Sequence, residues 1–170
     1  MKKHLLYFFV SAFLILTSCG GNAENLSEKD LAPDFTLSDA FGNYYTLSEL
    51  RGNPVVIYFY PKANTSGCTK QACGIRDSRD KFSDNNITVL GISVDSKASI
   101  SEFIAEHNLN FPLLSDENKE VSRAYGVLNN LGMSSRITFI ISRNGTIAKI
   151  MKDFDIDKHA EEVFEFASKI

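Results

Sequence analysis

Apolar residues fall along this chain in runs that predict strands and helices in turn. Val55 to Tyr60 is continuous, Val-Val-Ile-Tyr-Phe-Tyr, and Ile87 to Val94 nearly so. Runs of β-branched and aromatic residues without alternation predict strands buried on both faces. Between them Gly67 to about Phe82 reads as a helix, with Cys68, Ala72, Ile75 and Phe82 at near-helical spacing on its buried side. Ala98 to Asn108 is a second helix with Ile100, Phe103 and Ile104 inward. Phe111 to Leu114 is a short strand and Asn118 to Tyr125 a short helix. Ile137–Ile141 and Thr146–Met151 are strands around Asn144-Gly145, a hairpin signal. Asp157 to Ile170 is a closing amphipathic helix with Val163, Phe164 and Phe166 toward the core. Near the start, Asp34–Leu37 and Tyr44–Leu47 flank Gly42-Asn43 and predict a further hairpin. The chain therefore reads as α/β, with a central mixed sheet between helices.

The first residues follow a different pattern. Lys2 and Lys3 form a basic head, and Leu5 to Leu16 is an apolar run broken only by Ser11. That is too short to span a bilayer as a helix and fits the core of a secretory signal. It ends in Leu16-Thr17-Ser18-Cys19-Gly20, which resembles the lipobox of bacterial lipoproteins. The resemblance implies a signal peptide over residues 1–18, a lipid on Cys19, and an exported protein anchored to a bacterial membrane on the periplasmic side or at the cell surface. An ordinary secretory signal or an uncleaved apolar anchor are the alternatives. Gly20 to Asp30 is small and polar, so residues 19–30 read as a flexible tether and 31–170 as one domain. Loss of residues 1–18 leaves 152 residues, enough for a real core, and a net charge of −5. The acidic balance, with no basic cluster, argues against nucleic acid.

Three cysteines are an odd number for an exported protein. With Cys19 assigned to lipid, Cys68 and Cys73 remain as one pair, and their spacing closes too small a loop for a structural staple. Cys68 opens the helix that follows the Val55–Tyr60 strand. There it meets unpaired backbone N–H groups and the positive end of the helix dipole, which favour thiolate over thiol. Sites in such sheets lie beyond the carboxyl ends of the parallel strands, where Cys68 falls. No Gly-rich phosphate loop, haem motif or metal-ligand cluster is present, so no cofactor or metal is expected. A copper site from the two cysteines and distant histidines is disfavoured. His107 and His159 read as surface residues, and Tyr58, Phe59 and Tyr60 as core and pocket wall.

Strand, helix, strand, helix, then hairpin and helix is the order of a thioredoxin-like fold. Within it, Pro61-x3-Thr65-x2-Cys68 matches the peroxiredoxin signature. The match extends from Ala32-Pro33-Asp34-Phe35-Thr36-Leu37 through Tyr58-Phe59-Tyr60-Pro61-Lys62 and Gly67-Cys68-Thr69 to Arg136-Ile137-Thr138-Phe139-Ile140. The chain most resembles the bacterioferritin comigratory protein, or peroxiredoxin Q, group, in which a second cysteine often follows five residues after the first, as Cys73 does. It departs from that group's usual Thr-Pro-Gly-Cys at Ser66, and its Tyr125–Arg136 connection is short.

The resemblance implies a thiol peroxidase. Cys68 would be the peroxidatic cysteine and Cys73 the resolving one, joining it in a disulfide that a thioredoxin-like donor reduces. Thr65 would hydrogen-bond substrate and thiolate, Pro61 would shield the site from water, and Arg136 would hold the thiolate and polarise the peroxide. A monomer is expected. A rival reading is a membrane-anchored thiol–disulfide oxidoreductase acting on protein disulfides. Those enzymes usually carry Cys-x2-Cys, often after a Trp, and this chain has the longer spacing and no Trp. A non-enzymatic lipoprotein module is the other.

Moving any thiol pKa from about 8.5 to about 6 raises its thiolate fraction at pH 7 only about thirtyfold, and a lower pKa weakens the nucleophile. Most of the rate must come from donors that stabilise charge developing on the leaving oxygen. In an intact helix, residues five apart differ by about 140° around the axis, with Cα atoms roughly 8–9 Å apart. A disulfide needs Cα atoms within about 7 Å. The implied Cys68–Cys73 bond thus requires the helix to unwind locally, which Ser66 and Gly74 would ease.

The lipobox reading has a direct check. Mass spectrometry of the mature N-terminus should find a lipid-sized increment on Cys19, lost in Cys19→Ala; an unmodified N-terminus at another residue contradicts it.

Overall fold

The computed structural model describes residues 26–170. The expected signal peptide, Cys19 and the first part of the tether lie outside them. The elements follow as β1 (Thr36–Asp39), β2 (Tyr44–Thr46), a 3-10 turn (Leu47–Leu50), β3 (Val55–Phe59), α1 (Ser66–Asp77), α2 (Arg79–Asp84), β4 (Thr88–Ser93), α3 (Lys97–His107), β5 (Leu113–Ser115), α4 (Glu120–Ala124), β6 (Ile137–Ile141), β7 (Ile147–Met151) and α5 (His159–Ala167).

Seven strands form one sheet in the order β2-β1-β5-β4-β3-β6-β7. β3 and β4 are parallel, as are β4 and β5; β6 runs antiparallel to β3, and β7 to β6. This is the mixed sheet of a thioredoxin-like fold. β3 is buried along its whole length because both its faces are covered. Val56, Tyr58 and Tyr60 point to one core with Cys68, Ala72, Ile75, Ile100, Phe103 and Val163, so α1, α3 and α5 cover that face. Val55, Ile57 and Phe59 point to the other, with Phe35, Leu114, Val121, Tyr125 and Phe139. Gly91, paired with Tyr58, has no room for a side chain: a Cβ would lie 2.7 Å from the Tyr58 ring and 2.4 Å from Leu113.

Three expectations need correction. The helix expected over 67–82 is two helices, broken at Ser78 (φ −99°, ψ 3°). No Gly or Pro marks the break. Instead Arg76 Nη1 donates to the His107 carbonyl at 2.6 Å and Arg79 Nε to the Asn110 carbonyl at 2.8 Å, so the end of α3 and the loop after it fix both sides of the kink.

The tether is shorter than 19–30 at its far end. Lys29 N–H donates to the Ile147 carbonyl (2.7 Å), Ile147 N–H to the Asp30 carbonyl (2.8 Å), and Leu26 packs on the core. The polar composition of these residues hid backbone pairing to β7.

His159, expected at the surface, is fully buried at the start of α5. Its Nε2 and the Thr138 Oγ1 of β6 are 2.8 Å apart, and Phe154 stacks on its ring at 4.3 Å. His107 is half-buried, with Phe103 edge-on to its ring at 5.3 Å.

Burial, and then the Arg136 charge, push the His159 imidazole from 6.5 down to about 4. The unfolded chain binds this proton near pH 6.5 and the folded chain only near pH 4, so between them the unfolded state holds more protons. Stability should therefore fall as pH drops through this window, by about 3 kcal/mol in total, with no contribution above pH 7. Urea unfolding between pH 7.5 and 4 should show the decline, and His159→Gln should remove this part of it. An unchanged pH profile in the variant contradicts the assignment.

Candidate active site

β3 delivers the chain to the carboxyl end of the sheet, where Tyr60 and the half-buried Pro61 begin a short loop. The loop turns at Asn64, whose φ of 58° lies in the left-handed region that asparagine tolerates best among residues with a side chain. Asp95, just past β4, fixes the loop: its Oδ2 accepts from Ala63 N–H at 2.8 Å and from Ser93 Oγ at 2.9 Å. Ser115 Oγ in turn donates to the Asp95 carbonyl at 2.6 Å. Thr65 is the N-cap of α1 in extended conformation.

Cys68 therefore sits in the first turn of α1, with 1% of its surface exposed. Arg136, at the entry to β6, reaches it because β6 lies beside β3. Its Nη2 donates to Cys68 Sγ at 3.2 Å, a charge-assisted contact on the sulfur. Its Nη1 donates to Gln71 Oε1 and lies 3.5 Å from the Gly67 carbonyl. Gly67 leaves the space: a Cβ there would lie 3.1 Å from Nη2.

The loop before Arg136 is compact. Asn129 Oδ1 accepts from the N–H groups of Leu131 and Met133, and Ser135 N–H donates to the Val127 carbonyl. Buried Ser134 contacts Ser122 Oγ at 3.0 Å, and Ser122 Oγ donates to Asp116 Oδ2 at 2.7 Å. The short connection so anchors the base of the arginine to α4.

The structure thus brings Arg136 to Cys68, while Pro61 begins the loop that leads to α1. Cys73 lies in the same helix, partly exposed, and both thiols are free. Thr65 is adjacent, but its Oγ1 donates to the Lys62 carbonyl at 3.0 Å rather than to the sulfur. Sequence reasoning missed three residues. Gln71 and His159 are buried polar side chains behind Arg136, and Asp95 holds the loop. Only Asp95 carried a signal, lying past the carboxyl end of a parallel strand. Tyr58 also stands in this core. Burial first, and then the neighbouring Tyr60 and Cys68, push its phenol well above the ordinary value, so it stays protonated.

A sulfur so placed, buried beneath an arginine at a helix N-terminus, is suited to attack a small electrophile whose departing atom becomes negative. The sequence profile of the AhpC/TSA family matches residues 29–150. Peroxiredoxin Bcp of Escherichia coli strain K12 is 38% identical over 148 residues, covering 83% of this chain and 95% of that protein. Chloroplastic peroxiredoxin Q of Suaeda salsa is 39% identical over 148 residues, covering 85% of this chain and 69% of the plant protein. Among solved structures, peroxidoxin BcpB from Mycobacterium tuberculosis superposes with a TM-score of 0.79 at 33% identity, covering 86% of this chain and 99% of that one. With identity this high across nearly the whole described domain, the chain belongs to the AhpC/TSA family and is a peroxiredoxin of the Q/Bcp group, a thiol-dependent peroxidase.

Proposed function

We propose that Cys68 is the peroxidatic cysteine and that the enzyme reduces hydrogen peroxide and organic hydroperoxides through a disulfide with Cys73. The observation that carries this reading is the 3.2 Å contact of Arg136 Nη2 with a buried Cys68 Sγ in the first turn of α1. The Cys68 thiolate attacks one peroxide oxygen. An S–O bond forms and the O–O bond breaks, sulfur gives up two electrons, and the departing oxygen takes a proton and leaves as water or alcohol. Arg136 faces the charge that builds on the departing oxygen. Thr65 reaches the substrate by rotating its hydroxyl away from Lys62, and Pro61 keeps water from the sulfur. The Cys68 sulfenic acid then condenses with the Cys73 thiol, forming the S–S bond and releasing water. A thioredoxin-like dithiol reduces that bond and restores both thiols.

The remaining parts of the reading concern place and assembly. The enzyme works as a monomer, held by a lipid on Cys19 to a bacterial membrane, on the periplasmic side or at the cell surface, after residues 1–18 are removed. More than one acyl chain is needed for stable anchoring, and a bacterial lipoprotein supplies several. Among the described residues no helix is long and apolar enough to cross a membrane.

The cysteine roles are tested by two variants. Cys68→Ser should abolish peroxide consumption with a dithiol donor, by more than about a thousandfold if nucleophilic attack is lost. Cys73→Ser should consume one equivalent of peroxide and then stall with thioredoxin. Full activity in Cys68→Ser overturns the assignment.

The disulfide requires motion. Both cysteines lie within the unbroken helix Ser66–Asp77, and the helical spacing of residues five apart exceeds what a disulfide spans. Hydrogen exchange over residues 67–80 should be markedly faster in the oxidised enzyme than in the reduced one. Equal protection in both states, with the disulfide shown to be present, contradicts local unwinding.

A further inference from the structure

Three polar side chains behind Arg136 are buried to 1% exposure or less: Gln71, Thr138 and His159. Burying polar groups costs stability unless each finds a partner. Here they partner one another in a line that ends on the arginine. Thr138 Oγ1 is 2.8 Å from His159 Nε2. Gln71 Nε2 is 3.3 Å from His159 Nδ1 and 3.4 Å from Nε2. Gln71 Oε1 accepts from Arg136 Nη1, and Arg136 Nη2 donates to Cys68 Sγ.

The direction of each bond follows from the donors available. A guanidinium only donates, so the Gln71 oxygen must face Arg136 and its NH₂ must face the imidazole. The amide nitrogen is almost equally far from both ring nitrogens, so it lies over the face of the imidazole, away from the in-plane lone pairs, and its N–H meets the ring's π-face. The ring is held in turn by the contact of Nε2 with the Thr138 hydroxyl, and burial keeps it neutral. Were the amide reversed, its NH₂ would oppose the guanidinium and the arginine would lose an acceptor.

The same segment holds the catalytic turn at further points. Lys70 Nζ pairs with Asp157 Oδ1 at 2.6 Å, and Ile156 lies beside Gly67. Phe154 stacks on the outer face of His159 at 4.3 Å, so the ring cannot swing away from Gln71.

We propose that His159 is a positioning residue for peroxide reduction: from α5 it fixes the Gln71 amide, and through it the rotamer in which Arg136 spans Cys68 Sγ and the peroxide. The inference rests on the role given to Arg136 above.

The test uses the full chain carrying Cys73→Ser, so that sulfenic acid persists and is trapped with dimedone. Tryptic cleavage isolates Cys68 in the peptide 63–70, separate from Cys19. On that peptide the rate of oxidation by hydrogen peroxide is compared with the rate of alkylation by iodoacetamide, whose iodide leaves without help from an arginine. His159→Leu should slow oxidation at least about tenfold, since small misplacements of a catalytic group cost this much or more. Alkylation should change by less than about threefold, well short of a general loss of thiol reactivity. His159→Phe, which keeps an aromatic face against the Gln71 amide, should restore part of the rate. In an Arg136→Met background, itself slower in oxidation, His159→Leu should cost nothing further. If His159→Leu does not fold, Gln71→Leu asks the same question from the other side of the amide, with the same expected results. Equal losses in oxidation and alkylation, or a loss that persists undiminished beside Arg136→Met, overturn the inference and leave Arg136 its role. An Arg136→Met enzyme as fast as its parent overturns both readings.

Discussion

The contact between the Arg136 guanidinium and the Cys68 sulfur is the constraint on which the rest of this structure depends. The two residues are 68 positions apart in the chain. Their meeting requires β6 to lie beside β3, so that a side chain from the entry to β6 reaches the helix that β3 launches. It is eased by Gly67, because a Cβ there would lie 3.1 Å from the guanidinium and push it aside by a few tenths of an ångström. It requires a fixed base for the arginine, which Ser134, Ser122 and Asp116 supply through buried hydrogen bonds. The loop on the other side is held just as firmly by Asp95.

Opposing demands fall on α1. Its first turn must be ordered for Cys68 to meet Arg136, yet the disulfide proposed for it demands that the turn open. Contacts of different strength hold the turn. The Lys70–Asp157 pair is more than half exposed on both sides and contributes little on its own. The Gln71–His159 contact is buried but long. Below the site, Arg76 of α1 and Arg79 of α2 tie the end of α1 and the start of α2 to the end of α3 and the loop after it, through short bonds to carbonyls. Anchors to backbone carbonyls thus lie after Cys73, while around Cys68 the firm hold comes from Arg136, through Gln71 and the sulfur.

Much of this was legible in the sequence. Continuous apolar runs located β3 and β4, because strands covered on both faces leave no polar alternation to confuse. Gly42-Asn43 and Asn144-Gly145 located both hairpins, because turns with positive φ restrict their residues. The Pro61, Thr65, Cys68 and Arg136 pattern pointed to the start of α1, where Arg136 does meet Cys68. The helix break at Ser78 was not legible, because Ser is an ordinary residue there and the kink comes from carbonyls 31 residues ahead. Nor was the burial of His159, since a lone histidine among Asp, Lys and Glu reads as solvated.

By itself, then, the sequence determined the alternation of strands and helices, the turn at which a nucleophilic sulfur stands, and the family whose chemistry that turn serves. These rest on local patterns: hydropathy period, turn residues, and a cysteine opening a helix. Only the tertiary structure decided how the arginine is aimed, which buried polar groups aim it, and where α1 breaks. Those depend on distances between residues far apart in the chain. A polar side chain carries no mark of whether water or another buried group will satisfy it until the fold has brought its partner within reach.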